Sequence, residues 1–363
     1  MKTRITEMFG IKYPIFSAGM GPFSTTKLAN AVTNAGGLGL LSQWGSRLKI
    51  DPDTLEFIDD PKKAKTYQSW EKLELDINYI MEHSKGPFGC NIRVARVQID
   101  YPKCLETIIK MRKENPEIKE RLKIVVTSAG NPAPPHKQLK EAAPDLMHFH
   151  VSPSLRLVHN TFKAGCDGVV AVGYEGGGHQ SYEKVHTLVL IPEVRKHYPD
   201  KPIIAGGGFY DGAGLASAFT MGADAIQMGS RLIATKDCEF HPNYKHMVVD
   251  GKDESTEVCQ GAFGPIRLHK NNYTVEHNKI MSREEKMKQE KDEGLLDPKR
   301  LFEEQVRKEA IAYALVYMGD IQNGAVLLGQ SIGGVDDIPT VKELLDRMVS
   351  DAEKRIKEVT KMF

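Results

Sequence analysis

The residues with the clearest chemical potential are Gly173-Tyr174-Glu175-Gly176-Gly177-Gly178-His179, which follow directly on the apolar run Gly168-Val169-Val170-Ala171-Val172. Three consecutive glycines let backbone approach a flat ligand closely, and the histidine after them sets a titratable group beside it. An imidazole titrates near neutrality, so it serves there as base or as acid. Glu175, four residues earlier, stands where it can tune that ring, or act only as a cap or a partner for a cation. In isolation the segment reads equally as a tight turn with a surface histidine. The rest of the chain decides between the two.

A second constellation suits a phosphate. Gly206-Gly207-Gly208-Phe209-Tyr210-Asp211-Gly212 follows the apolar run Pro202–Ala205, and Gln227-Met228-Gly229-Ser230-Arg231 closes the run Ala225–Met228. Glycines admit backbone N–H groups to a phosphate without an intervening Cβ, and the Ser230 hydroxyl adds a donor. The glycine spacing is not that of a G-x-G-x-x-G dinucleotide loop, and it comes late in the chain rather than after a first strand. Asp211 reads as the cap of the helix that follows. Small residues also end three earlier apolar runs, in Ser17-Ala18-Gly19-Met20-Gly21, Gly89-Cys90-Asn91-Ile92 and Thr127-Ser128-Ala129-Gly130-Asn131-Pro132. They leave room for a planar ring system whose edge the Asn91 amide can address.

Such residues must be brought together by a scaffold, and the apolar pattern supplies one. Eight short runs, Pro14–Gly19, Gly37–Leu41, Phe88–Ile92, Ile124–Thr127, Met147–Val151, Gly168–Val172, Pro202–Ala205 and Ala225–Met228, alternate with segments of helical period. Helices are expected at Thr25–Ala35, Cys104–Asn115, Ser154–Ala164, Val185–His197 and Ala213–Met221. Eight strands with intervening helices predict an α/β fold, the TIM (β/α)8 barrel, whose active site gathers at the carboxyl ends of the strands with phosphate held after the seventh and eighth. Residues 1–235 and 320–363 are assigned to the barrel, and residues 236–319 to a mainly helical cap over the site. Ser46–Glu82 is a second excursion. The charged stretch Ser282-Arg283-Glu284-Glu285-Lys286-Met287-Lys288 reads as a solvated helical face.

Bulk properties exclude several other roles. Across 363 residues, 49 Lys and Arg balance 48 Asp and Glu, so no basic field invites nucleic acid or an anionic membrane surface. Cys90, Cys104, Cys166, Cys238 and Cys259 are scattered, which argues against a disulfide framework and a zinc motif. With no run approaching the roughly 20 apolar residues of a membrane span and no apolar leader, the expected compartment is the cytoplasm. His148-x-His150 places two imidazoles on one face of a strand near His136, but no third metal ligand is announced. Packing or hydrogen bonding is the expected role there, with no metal. His241, His246 and His269 are judged alike.

In order and spacing, Ser17–Gly21, Asn34–Gly39, Gly89–Ile92, Glu175–His179, Ile204–Gly208, Gly222–Arg231 and Gly329-Gln330 resemble the nitronate monooxygenase family, formerly 2-nitropropane dioxygenases. That superfamily includes FMN-dependent NADH:quinone reductases and the flavin-dependent enoyl-acyl-carrier-protein reductase. Departures occur at the extra glycine before His179 and at Ser17 and Gly19 of the first turn. The resemblance implies non-covalent FMN, with phosphate at Gly207, Gly208, Gly229 and Ser230. It implies a ring lying against Met20, Asn91, Gly177 and Gln330, with Ala18, Gly19, Ser128, Glu175, Gly178, Gly206 and Gln227 also at the cofactor. His179 is then the catalytic histidine. Oxidation of nitronates or nitroalkanes with oxygen is the first expectation. Reduction of a quinone or enoyl thioester with NAD(P)H is the alternative, and a flavin-binding protein without turnover is a third reading. The implied partners are small molecules, and a homodimer is compatible with the resemblance.

Overall fold

Strands that are covered on both faces by other elements have no solvent side, so they read as continuous apolar runs rather than alternating ones. In the structure, a computed structural model that describes residues 1–44, 49–50, 65–95, 98–277, 279–292 and 304–363, each of the eight apolar runs is a strand. They are β1 (Ile15–Ser17), β2 (Gly39–Ser42), β3 (Phe88–Val94), β4 (Leu122–Gly130), β5 (Met147–Ser152), β6 (Gly168–Val172), β7 (Ile203–Gly206) and β8 (Ala225–Met228). All pair in parallel with their chain neighbours, and β8 returns to β1 through Ile226 opposite Ile15. A parallel bridge between Phe16 and Leu38, with Leu38 N donating to Ile15 O at 2.9 Å, joins β1 to β2 and closes the barrel.

Alternate residues fill the interior. Phe16, Leu40, Ile124, Val126, Phe149, Val170 and Ile204 form one buried cluster, and the amino-terminal helix Arg4–Phe9 adds Ile5 and Phe9 to it. The Phe9 ring meets Phe16 and Phe149 edge-on, with centroids 5.9 and 6.0 Å apart. Full burial of each such side chain contributes about 1.5–3 kcal/mol. Outside the barrel, helices Thr26–Asn34, Tyr101–Glu114, Leu155–Lys163, Thr187–His197 and Gly212–Thr220 stand within a few residues of their expected bounds. The carboxyl-terminal helix Val341–Thr360 packs against Gly212–Thr220 and Thr26–Asn34, covering the barrel's final turn.

Of the Ser46–Glu82 excursion, Ser69–His83 forms a helix, whereas Asp51-Pro52-Asp53 and Asp59–Lys63 lie outside the described residues. After β8 the chain makes a hairpin from β9 (Thr256–Gly261) and β10 (Gly264–His269), besides helices Pro242–Val249, Arg283–Asp292 and Glu304–Tyr317. The hairpin matters to the site because β10 pairs with Gly178-His179, setting Ile266 opposite His179. The charged stretch is helical as expected, yet Lys286 within it is buried and Arg283 reaches a barrel loop.

Candidate active site

At the carboxyl ends of the strands lies a cavity of about 620 Å³, within the range that small-molecule sites occupy. The tip of β1 contributes Ala18, Gly19 and Met20 to its wall, β3 contributes Asn91, and β4 contributes Ser128. The loops after β6, β7 and β8 add Gly177, Gly178 and His179, then Gly206, Gly207 and Gly208, then Gln227, Gly229 and Ser230. Fourteen of the sixteen residues expected from the sequence therefore meet at one place. Glu175 and Gln330 stand outside the lining.

Backbone geometry explains the glycines after β7. Gly207 and Gly208 have φ of +88° and +87°, in the left-handed region that side-chain-bearing residues avoid, and a Cβ on Gly207 would sit 2.8 Å from the Gly173 carbonyl oxygen. The loop is thus an open backbone rim. Beside it, Ser230 Oγ accepts from Gly329 N at 2.9 Å, which leaves its own proton to donate. The rim and this hydroxyl fit an anionic oxygen cluster such as a phosphate. Asp211 accepts from Gly214 N at 2.8 Å and so caps helix Gly212–Thr220, as its position in the sequence suggests.

On the opposite side, Asn91 is buried and tied into the wall, donating to Val126 O at 3.1 Å and accepting from Ser128 Oγ at 3.3 Å. The glycine run after β6 packs against the segment Leu328–Gln330: a Cβ at Gly177 would come within 2.7 Å of the Leu328 carbonyl carbon. Gln330 N donates to Glu175 O at 2.9 Å, so Gln330 supports the loop from behind by its backbone.

Glu175 does not face His179. Its carboxylate accepts from Thr187 N and Thr187 Oγ1 at 3.0 and 2.8 Å, and His186 lies 3.2 Å away. It fastens the β6 loop to the start of helix Thr187–His197. The acid beside the catalytic candidate is instead Glu309, whose Oε1 lies 3.6 Å from His179 Nε2. That distance exceeds a hydrogen bond, so the contact is electrostatic. Glu309 is buried, and its carboxylate is fixed by Tyr313 OH at 2.7 Å and Ala262 N at 2.6 Å. Burial, reinforced by Glu309, pushes the Tyr313 phenol well above its ordinary range, which keeps its proton on the hydroxyl as donor. His179 itself is 41% exposed at the side chain, open to the cavity, with the Phe263 ring 5.8 Å away.

Arg93 is the other residue that the sequence did not single out. It lines the cavity, its side chain is half-buried, and its buried Nε has no partner among the described residues. Burial lowers its pKa, Asp100 and Tyr313 counter this, and a guanidinium stays charged regardless. It sits immediately past Gly89–Ile92, and its place in that run was its only signal. The cavity wall thus offers an imidazole, a half-buried guanidinium and a glycine-rich rim. Together they can hold a phosphorylated ring cofactor and stabilise negative charge on a bound substrate.

Among the described residues no helix is long and apolar enough to cross a membrane. Comparison with known proteins agrees with the geometry. A Rhodococcus jostii protein named (3aS,4S,5R,7aS)-5-hydroxy-7a-methyl-1-oxo-octahydro-1H-indene-4-carboxyl-CoA dehydrogenase is 28% identical, covering 98% of this chain and 97% of its own. A probable nitronate monooxygenase of Staphylococcus aureus is 27% identical over 76% of this chain and 80% of its own. The structure of FabK from Thermotoga maritima superposes with a TM-score of 0.78 at 27% identity, covering 100% of both chains. Residues 2–351 match the sequence profile of nitronate monooxygenase. The chain is a flavin-dependent oxidoreductase and belongs to the nitronate monooxygenase family.

Proposed function

We propose that the flavin is FMN, held by its phosphate at Gly207, Gly208, Gly229 and Ser230, with its ring against Met20, Asn91 and Gly177. Bound FMN supplies a store for two electrons. This chain's residues supply the rest. His179 takes or returns the proton at a carbon made acidic by a neighbouring electron-withdrawing group, Glu309 orients the imidazole, and Arg93 offsets negative charge that develops on the substrate. The observation that carries this reading is His179 open to the cavity, with the buried carboxylate of Glu309 behind it.

The electron-withdrawing group is, in our reading, an acyl thioester. The match to the Rhodococcus CoA dehydrogenase runs the full length of both chains, including the hairpin and helices that build the Glu309 side of the site. Reaction then joins proton movement at the α-carbon with hydride transfer at the β-carbon, and NAD(P)H is the partner that exchanges electrons with the enzyme. Oxidation of alkyl nitronates with oxygen is the second reading, favoured by the family profile and the staphylococcal relatives. Both use the same proton transfer.

Anaerobic rapid mixing of the yellow protein separates them. The thioester reading expects bleaching by NADH or NADPH and return of colour with an enoyl-CoA. Bleaching by propyl-2-nitronate, with none by either pyridine nucleotide, would overturn it in favour of the nitronate reading.

A further inference from the structure

The two histidines of β5 start a cluster that runs from the edge of the cavity, where His150 lies, to the barrel's outer wall. His148 and His150 project from the face of β5 opposite the interior residue Phe149. Between them stands Thr127, whose Oγ1 lies 2.8 Å from His148 Nε2 and 2.7 Å from His150 Nδ1. The other nitrogen of His148 meets two more groups: His136 Nδ1 at 3.1 Å and Cys166 Sγ at 3.6 Å. Ligand atoms of His136, His148 and Cys166 all fall within 4.8 Å of one another. The third ligand that the sequence does not announce comes from the loop before β6.

Hydrogen bonding alone serves this cluster badly. A neutral imidazole nitrogen offers either one lone pair or one proton, so His148 Nδ1 can make one well-aligned bond and not two. A cation accepts all three lone pairs together. A tetrahedral zinc with Zn–N about 2.0–2.1 Å and Zn–S about 2.3 Å requires N···N near 3.4 Å and N···S near 3.6 Å. The observed 3.1 and 3.6 Å lie within a few tenths of an ångström of those values. The ligands are also held in place. Asp167 accepts from His148 N at 2.7 Å and pairs with Lys140 at 2.7 Å, tying the Cys166 loop to β5 and to the helix Ala133–Ala142 that carries His136.

We propose that His136, His148 and Cys166 bind a zinc ion on the outer wall of the barrel, with water completing the tetrahedron. Two nitrogens and one sulfur select zinc over the oxygen-seeking cations. His148 and Cys166 are buried while His136 is half-exposed, so the ion enters from the surface. Zinc binds cysteine as the thiolate, so the Cys166 thiol proton leaves to solvent on binding.

The site has a consequence within the cavity. Zinc on Nδ1 leaves the His148 proton on Nε2, where it donates to Thr127 Oγ1. The threonine hydroxyl then donates to His150 Nδ1, which leaves the His150 proton on Nε2. His150 lines the flavin cavity, so the ion fixes the tautomer of a cavity-wall imidazole.

The test uses holoenzyme stripped with a chelator, dialysed, and titrated with zinc alone against a chromophoric competitor. One tightly bound zinc per chain is expected, with an X-ray absorption shell of one sulfur near ~2.3 Å and two nitrogens near ~2.0–2.1 Å. Losing an outer-shell partner typically costs about 10–100-fold in metal affinity, so His136→Ala, which removes a ligand itself, is expected to cost at least about 100-fold. Cys166→Ala removes the sulfur shell, and circular dichroism checks that both variants are folded. Absence of zinc uptake, a shell without sulfur, or unchanged affinity in folded His136→Ala would overturn the proposal.

Discussion

The two ends of the cavity are built in different ways. The proposed phosphate end is made from consecutive barrel units: the loops after β7 and β8 supply Gly207, Gly208 and Ser230, each within three residues of its strand. The reaction end is assembled from distant parts of the chain. His179 is fixed by pairing with β10, and its carboxylate partner comes from helix Glu304–Tyr317. On the proposed function, the barrel holds the cofactor with its own turns, whereas proton transfer depends on an added layer. Changes at the two ends therefore fail in different ways.

The largest separation is expected from His179→Asn. Loss of a positioned acid–base group costs about 10²–10⁴ in turnover, with FMN retained because the phosphate rim is untouched. Assays at saturating FMN check this, and unchanged turnover would remove the histidine from the reaction. Glu309→Gln comes next. A misplaced imidazole costs up to about 100-fold in kcat/KM, again with flavin content preserved. Ser230→Ala should do the reverse. Losing a hydrogen bond to a charged group costs about 1.5–3 kcal/mol, or roughly 10–100-fold in FMN affinity, while excess FMN restores kcat. A kcat defect that excess FMN does not relieve would merge the two ends and break the comparison.

The smallest effect concerns the rim of the reaction end, where Arg156 and Arg283 both hold Glu183 at 2.8 and 2.9 Å. Burial opposes its ionisation, but hydrogen bonds from Arg283 and Arg156 outweigh that and bring its carboxyl down to about 2. A depressed carboxyl contributes stability that is complete above its unfolded value near ~4.3 and disappears as pH falls through the folded value. Glu183→Gln should therefore lower Tm slightly at pH 7, by less than about 1 kcal/mol in stability, with the difference shrinking below pH ~4. An equal Tm difference at all pH values would mean that packing, not charge, is responsible.

The same contrast separates what the sequence reveals from what it hides. Parallel strands covered on both faces announce themselves as apolar runs, and the glycines at their tips mark close approach, so the barrel and the glycine rim at its strand tips are readable. Spacing along a loop carries no such information. Glu175 lies four residues from His179, yet the loop turns its carboxylate to Thr187, and the carboxylate beside the imidazole is that of Glu309. Glu309 sits in a helix whose charges resemble any solvated surface, and nothing local distinguishes it. Cys166 is hidden in the same way, since it takes the pairing of β6 with β5 and the packing of helix Ala133–Ala142 beside them to bring it to His136 and His148. Residues 236–319 were expected to be mainly helical, and the hairpin within them escaped notice because β9 and β10 lack a long apolar run.

The division of labour between the two ends is tested most directly by equilibrium binding of FMN to His179→Asn, followed by flavin fluorescence. The account predicts a Kd close to that of the unaltered protein in a variant that no longer turns over. Loss of FMN binding in step with loss of activity would contradict it, because His179 would then hold the cofactor rather than act on the substrate.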